Sequence, residues 1–283
     1  MPAMPSITSI TVTETGRSYA FRLARSGRVG APPILWLHGS GPGVTALSNW
    51  SGMLEAFGDA YDNLAPDIVG FGESTHPDPP PAGRKAFTEL RARTLLRLLD
   101  ALGLERVNLV GNSMGGVIAL VMADEAPDRV DRMVLMGSGG APVAPTPALR
   151  RLVGFYDDPT AERMAELMQG FVHDASAFGD DLLRIARERL PMATREDVRR
   201  SHLATFAPGG EPLAFPPERL AGIGHPTLVM HGASDRVIPV AASEYLAAHL
   251  PRSRLLVVER AGHWLQIEQP QAFADAVRTF LQT

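Results

Sequence analysis

The chain has 283 residues, with 27 basic and 31 acidic side chains, a net charge of −4 and no cysteine. Disulfides, thiolate metal sites and a cysteine nucleophile are therefore excluded. No basic block or stripe is present, so nucleic acid and an anionic membrane surface are not expected partners.

The length suits one α/β domain carrying an insertion. Met1 to Ser9 lack the basic start and apolar run of a signal peptide. The longest apolar stretch, Val117 to Ala123, falls far short of the ~18 residues that span a bilayer. A cytoplasmic protein is expected. Lys85 is the only lysine, which reads as a composition bias toward arginine and not as a phosphate-binding device.

Taken in order, the apolar runs Ile7 to Thr13, Tyr19 to Ala24, Ile34 to Leu37 and, more weakly, Asn63 to Pro66 predict strands. Phe87 to Leu102 has helical spacing through Leu95, Leu98, Leu99 and Leu102. A strand follows at Val107 to Val110, a helix at Gly115 to Glu125 and a strand at Arg132 to Met136. The alternation then stops. A proline-rich stretch with Pro142, Pro145 and Pro147 opens a region of helices only: Thr160 to His173, Phe178 to Leu190 and Arg195 to Ala207. A breaker cluster, Pro208-Gly209-Gly210-Glu211-Pro212, closes it. Strands Thr227 to His231 and Arg254 to Glu259 and a helix Pro270 to Leu281 finish the chain. The pattern predicts an α/β fold with a mostly parallel sheet, helices on both faces and a helical lid insertion. The expected boundaries are core 1–140, lid 141–216 and core 217–283.

Gly111-Asn112-Ser113-Met114-Gly115 lies between a predicted strand and a predicted helix, the context a G-x-S-x-G nucleophile turn requires. Ser113 is the candidate nucleophile, and the Met114 amide then points where an oxyanion forms. A serine needs a histidine base, and the base a carboxylate to orient it. His263 follows the last predicted strand, and Asp235 follows the strand before it. After Met136 comes only Gly137-Ser138-Gly139-Gly140, without a carboxylate, which favours Asp235. The loop Leu37-His38-Gly39-Ser40-Gly41-Pro42-Gly43 offers a second oxyanion donor from the Ser40 or Gly41 amide. It lacks the lysine and Ser/Thr of a phosphate cradle. No histidine pair has metal-ligand spacing on a helix face, so no metal is expected.

These motifs, with Ser48-Asn49-Trp50 and Gly262-His263-Trp264, make the sequence resemble the α/β-hydrolase family and, within it, the meta-cleavage product hydrolases. Those enzymes cut a carbon–carbon bond in 2-hydroxy-6-oxohexa-2,4-dienoates. The resemblance implies Ser113 as nucleophile, His263 as base, Asp235 as its partner, and the Ser40 and Met114 amides as oxyanion hole. It implies Gly41, Asn49, Asn112, Trp264 and a lid arginine around the substrate, with Arg187 favoured over its neighbours Arg184 and Arg189. It implies a small-molecule dienoate substrate, no cofactor and a homo-oligomer, a dimer or larger. Leu149, Leu152, Val153, Phe155, Met164, Leu167, Met168 and Phe171 are candidates for the apolar wall. A carboxylesterase or lactonase with the same triad is the main rival expectation, and a hydrolase-fold ligand-binding protein a weaker one.

Overall fold

A computed structural model describes residues 4–178, 181–209, 211 and 213–282. It opens with β1 (Ser6–Glu14), β2 (Arg17–Gly27) and β3 (Pro33–Leu37). Then come α1 (Ala46–Ala56), β4 (Asp62–Pro66), α2 (Arg84–Ala101), β5 (Val107–Asn112), α3 (Met114–Glu125) and β6 (Val130–Met136). Between β6 and β7 (Thr227–Gly232) lie α4 (Pro147–Val153), α5 (Ala161–Gln169), α6 (Asp181–Ala193), α7 (Glu196–Thr205) and α8 (Pro217–Ala221). The chain ends with α9 (Val240–His249), β8 (Ser253–Val258), α10 (Leu265–Glu268) and α11 (Pro270–Leu281). Among the described residues no helix is long and apolar enough to cross a membrane.

The eight strands form one sheet in the order β1-β2-β4-β3-β5-β6-β7-β8. The pairs β1–β2 and β2–β4 are antiparallel, and every other pair is parallel. The alternation of β3 shows why both faces need cover. Leu35 and Leu37 enter a core with Phe87, Leu95 and Leu98 of α2 and Ile118 and Val121 of α3. Ile34 and Trp36 enter the opposite core with Trp50 and Leu54 of α1 and Phe273 and Val277 of α11. A strand buried on both faces is the expected partner of crossover helices.

Register then aligns the strand ends. Leu37 pairs with Gly111, Asn112 with Met136, Met136 with Met230, and Gly232 with Val258. The order of connection reverses at β3, which lies between β4 and β5. That switch opens a crevice beyond the carboxyl ends of β3 and β5, where α/β sheets place ligands.

The helices between β6 and β7 build a third apolar cluster containing Leu152, Phe155, Met164, Leu167, Met168 and Phe171. It also takes in Val237, Ile238 and Trp264 from the loops after β7 and β8, so the insertion packs over the carboxyl end of the sheet. The helix predicted from Phe178 has its Gly179 and Asp180 outside the described residues, as are Gly210 and Pro212 of the breaker cluster. Helices α1, α4, α8, α9 and α10 were absent from the sequence expectation. Each is short, and α1 has the polar Ser48 and Asn49 in its first turn.

Candidate active site

Ser113 stands at the turn from β5 into α3 with φ 53° and ψ −111°. This left-handed backbone is strained for any residue with a Cβ. Its amide donates to the Met136 carbonyl at 2.9 Å, and its own carbonyl accepts from Gly116 and Val117. The turn is possible only because its flanks lack side chains. A Cβ on Gly111 would lie 2.5 Å from the Gly115 carbonyl carbon, and one on Gly115 would lie 2.1 Å from the Leu37 carbonyl oxygen. The helix therefore starts against β3, with Met114 at its first position.

His263 and Asp235 come together on the neighbouring loops. His263 Nδ1 donates to Asp235 Oδ2 at 2.7 Å, and both side chains are buried. The other Asp235 oxygen accepts from the amides of Val237 (2.7 Å) and Ile238 (3.0 Å). Burial opposes ionisation of this carboxyl, but His263, the hydrogen bonds and His231 outweigh it and hold it below the usual carboxylate value. His231, four residues earlier, sits 3.7 Å behind the same oxygen and is anchored to Ser243 and the Ile238 carbonyl. Gly137, next to the Met136 that binds the Ser113 amide, packs against the pair. A Cβ there would lie 3.1 Å from both Asp235 Oδ2 and His263 Nδ1. Among the described residues no hydrogen bond joins the Ser113 hydroxyl to His263. Such contacts tighten in a substrate complex.

The glycine-rich loop after β3 lies beside this turn. His38 is buried, accepts from the Ile68 amide at 2.9 Å and donates through Nδ1 to the Gly39 carbonyl at 2.8 Å. Burial pushes its imidazole down to about 4, so it is neutral. The Gly39 amide donates to Asn49 Oδ1 at 3.2 Å, and Asn112 Oδ1 packs on Gly39 so closely that a Cβ there would lie 2.6 Å away. The Asn112 amide group also donates to the Met136 carbonyl at 3.4 Å. Both asparagines thus brace the loop. The Ser40 hydroxyl is buried without a hydrogen-bond partner. Ser40, Ser113 and Met114 line a cavity of about 110 Å³. Leu149, Leu152, Leu213 and Ile238 form much of its wall.

Of the lid arginines, the favoured Arg187 is not the one the structure brings to the glycine-rich loop. Arg187 is exposed on α6, and Arg184 is exposed and paired with Asp181 (2.9 Å) and Glu188 (2.7 Å). Arg189 is the one that reaches the loop. Its Nε donates to the Pro42 carbonyl at 2.8 Å, and a side chain at Gly41 would lie 3.4 Å from its Nη2. Burial pushes this guanidinium down to about 10, and no carboxylate pairs with it among the described residues. Arg184 and Arg187, three apart, share a face of α6 that Arg189 does not, and only packing shows which face turns toward the loop.

Trp264 is buried, donates its amide to the Phe171 carbonyl at 3.2 Å and stacks edge-on against the Phe171 ring at 4.9 Å. That ring also lies 5.7 Å from the His263 ring, so the insertion packs directly on His263. Among the wall candidates Leu149 and Leu152 line the cavity, while Phe155, Met164, Leu167 and Met168 pack within the insertion.

One further group was not foreseen. Arg91 of α2 is fully buried without a carboxylate partner among the described residues. It donates to the Val69 carbonyl (3.0 Å), Thr205 Oγ1 (2.9 Å) and Met114 Sδ (3.3 Å), and lies over the Phe71 and Phe87 rings. Burial pushes it down to about 9. Its contacts tie α7 to the residue after Ser113.

The family description "alpha/beta hydrolase fold" matches residues 32–270. A 2-hydroxy-6-oxo-2,4-heptadienoate hydrolase of Pseudomonas putida is 38% identical over 253 residues, 88% of each chain. A 2-hydroxy-6-oxononadienedioate/2-hydroxy-6-oxononatrienedioate hydrolase of Cupriavidus pinatubonensis is 34% identical over 278 residues, 96% of this chain and 94% of that one. The solved structure of the 2-hydroxy-6-oxo-6-phenylhexa-2,4-dienoate hydrolase from a Rhodococcus species superposes with a TM-score of 0.90 at 35% identity. It covers 98% of this chain and 100% of that one.

Proposed function

The chain belongs to the α/β-hydrolase family, as a serine hydrolase of the meta-cleavage product group that acts on carbon–carbon bonds, and from this premise we propose how its residues divide the work. Ser113 is the nucleophile, His263 its base and Asp235 the carboxylate that orients the base. The Ser40 and Met114 amides form the oxyanion hole. Arg189 holds the carboxylate of a 2-hydroxy-6-oxohexa-2,4-dienoate, with Gly41, Asn112 and Trp264 around the same end and Asn49 bracing the loop. The observation that carries this reading is the half-buried Arg189 guanidinium, without a carboxylate partner among the described residues, against the Gly41–Gly43 loop of a site that also holds the hydrogen-bonded Asp235–His263 pair. An ester hydrolase has no use for that cation, whereas a dienoate anion does.

The steps balance without an oxidant or reductant. Ketonisation moves the proton of the 2-hydroxyl away and adds one at C5, giving a 2,6-dioxo-3-enoate whose charge stays beside Arg189. Ser113 Oγ attacks C6 while His263 takes its proton, and the oxyanion hole receives the developing alkoxide. The C5–C6 bond then breaks. Its electron pair flows through the enone to the 2-oxygen, and protonation yields 2-hydroxypenta-2,4-dienoate. The C6 acyl group remains on Ser113, and water deprotonated by His263 releases it as a carboxylic acid. The buried, hydrogen-bonded Asp235 carboxylate stabilises the imidazolium formed in both halves.

The same proposal has the enzyme working as a homo-oligomer in the cytoplasm. The edge strand β8 supports the assembly, because Leu255, Leu256 and Val257 are all exposed beside its unpaired edge.

The test compares Arg189→Gln with wild type on a yellow dienoate, followed by its visible absorbance, and on a neutral p-nitrophenyl ester. Loss of one charge-assisted contact predicts a roughly 10- to 100-fold drop in kcat/KM for the dienoate, with a much smaller change for the ester. Equal losses on both, or a greater dienoate loss in Arg187→Gln, return the carboxylate to another group. Fast ester cleavage with the dienoate untouched by wild type makes the protein an esterase.

A further inference from the structure

The cavity over Ser113 does not end in apolar side chains. Arg84, at the start of α2, lines it together with Ser113, Val117 and Leu149. Arg84, Leu149 and Phe206 also line a second, outer hollow that Ser113 does not reach. These three residues therefore form the rim where the acyl cavity opens outward. The Arg84 side chain is exposed and has no hydrogen bond or ion pair among the described residues. The carboxylate lining the outer hollow, Glu211, is already taken by Lys85. Arg150 lines the same hollow and is likewise without a carboxylate partner among the described residues. In a protein of net charge −4, this mouth is locally positive.

Two guanidiniums without a carboxylate partner among the described residues thus stand near the site. Arg189 lies against the Gly41–Gly43 loop, and Arg84 lies on the acyl cavity. The carbon attacked by Ser113 divides the substrate in two: the dienoate, which carries the first carboxylate, and the tail, which becomes the acyl group. A methyl or phenyl tail gives Arg84 nothing to bind. A short tail ending in a carboxylate fills the apolar wall with its methylenes and reaches the rim with its charge.

We propose that Arg84 selects the substrate tail, and that the preferred substrates are dianions, 2-hydroxy-6-oxo-dienedioates whose C6 substituent is a short chain ending in a carboxylate. This rests on the dienoate reading above and names its substrate class. The acid released after hydrolysis of the acyl-serine is then a dicarboxylate such as succinate. The reaction that supplies such a substrate is the ring opening of a catechol bearing a carboxyalkyl side chain.

The experiment measures kcat/KM for 2-hydroxy-6-oxonona-2,4-dienedioate and for 2-hydroxy-6-oxohepta-2,4-dienoate, in wild type, Arg84→Gln and Arg84→Lys. Wild type is expected to favour the dioate by about tenfold, the size of one charge-assisted contact that substrate shields from water. The ratio should collapse toward one in Arg84→Gln and be largely kept in Arg84→Lys. In wild type it should shrink as salt rises. A wild-type ratio at or below one overturns the proposal without any variant, as does an unchanged ratio in Arg84→Gln. Cleavage of neither dienoate overturns the functional reading itself, a result distinct from cleavage of both without preference.

Discussion

Ser113 owes its position to what its neighbours lack. The Gly115 Cα lies so near β3 that a methyl group would sit 2.1 Å from the Leu37 carbonyl oxygen, and this obstacle is backbone, which cannot rotate away. Gly115→Ala is therefore expected to push α3 off the sheet and to cost more than about 3 kcal/mol. Urea unfolding measures the cost, and a loss below about 1 kcal/mol would mean the close approach is not rigid. This much was legible in the sequence, since a glycine two residues either side of a serine at a strand end has few other uses. The Asp235–His263 hydrogen bond was legible in the same way, because each residue follows a strand whose register fixes where it ends. Arg189 was not. Arg184, Arg187 and Arg189 lie on one helix with similar neighbours, and only the packing of α6 against Pro42 and Gly43 decides which of them turns inward. Arg91 was hidden for a related reason. Its spacing on α2 reads as a charged surface position, but the Phe71 and Phe87 rings and the Val69 carbonyl enclose it.

At the scale of elements, the strands and the helices α2, α3, α5 and α11 announced themselves by periodicity, whereas α1 did not. Its signal was present in other terms. Thr45 accepts from the Ser48 amide at 3.1 Å while Ser48 Oγ accepts from the Thr45 amide at 3.0 Å, a reciprocal capping box. Ala46, Trp50, Met53 and Leu54 then recur at helical spacing and are buried. The serine at the third position, where glutamate or glutamine is usual, masked the pattern. The helix matters to the site because it carries Asn49, whose side chain accepts from Gly39 and whose carbonyl accepts from Gln266 at 3.1 Å. Thr45→Ala is expected to cost about 1 kcal/mol of stability and to lower turnover of the dienoate more than it weakens overall folding would suggest, because fraying of α1 loosens the Gly39 loop. Parallel measurement of the unfolding midpoint and of kcat/KM separates the two effects. Unchanged kinetics with the predicted loss of stability would show that the loop does not depend on its cap.

Over the whole molecule, the protonation of two distant histidines sets how the fold meets acid. His38 lies under the glycine loop of the core, and His202 lies on α7 among Tyr156 and Phe206, donating through Nε2 to the Val153 carbonyl. Burial is the main cause that lowers both from 6.5 to about 4, since neither site offers a carboxylate to the charged ring. The unfolded chain therefore binds protons between pH 6.5 and 4 that the folded chain refuses, and stability must fall with pH across that window and level off above it. The slope approaches about 1.4 kcal/mol per pH unit for each histidine, so that together they remove about 4 kcal/mol between pH 7 and pH 5. Asp235 acts oppositely to neither, because its lowered carboxyl gives up its stabilisation only below the usual carboxylate value. Urea midpoints taken at pH 7, 6 and 5 test the slope. In His202→Gln the fall between pH 7 and pH 5 should shrink by about 2 kcal/mol, whatever the substitution costs at pH 7, while His38, the half-buried His76 and the buried His231, also held below the usual imidazole value, still resist their protons. A wild-type curve that stays flat to pH 5 would mean that the two imidazoles find water or a counter-charge when protonated, and that the contacts of α7 with the core relax before the fold gives way.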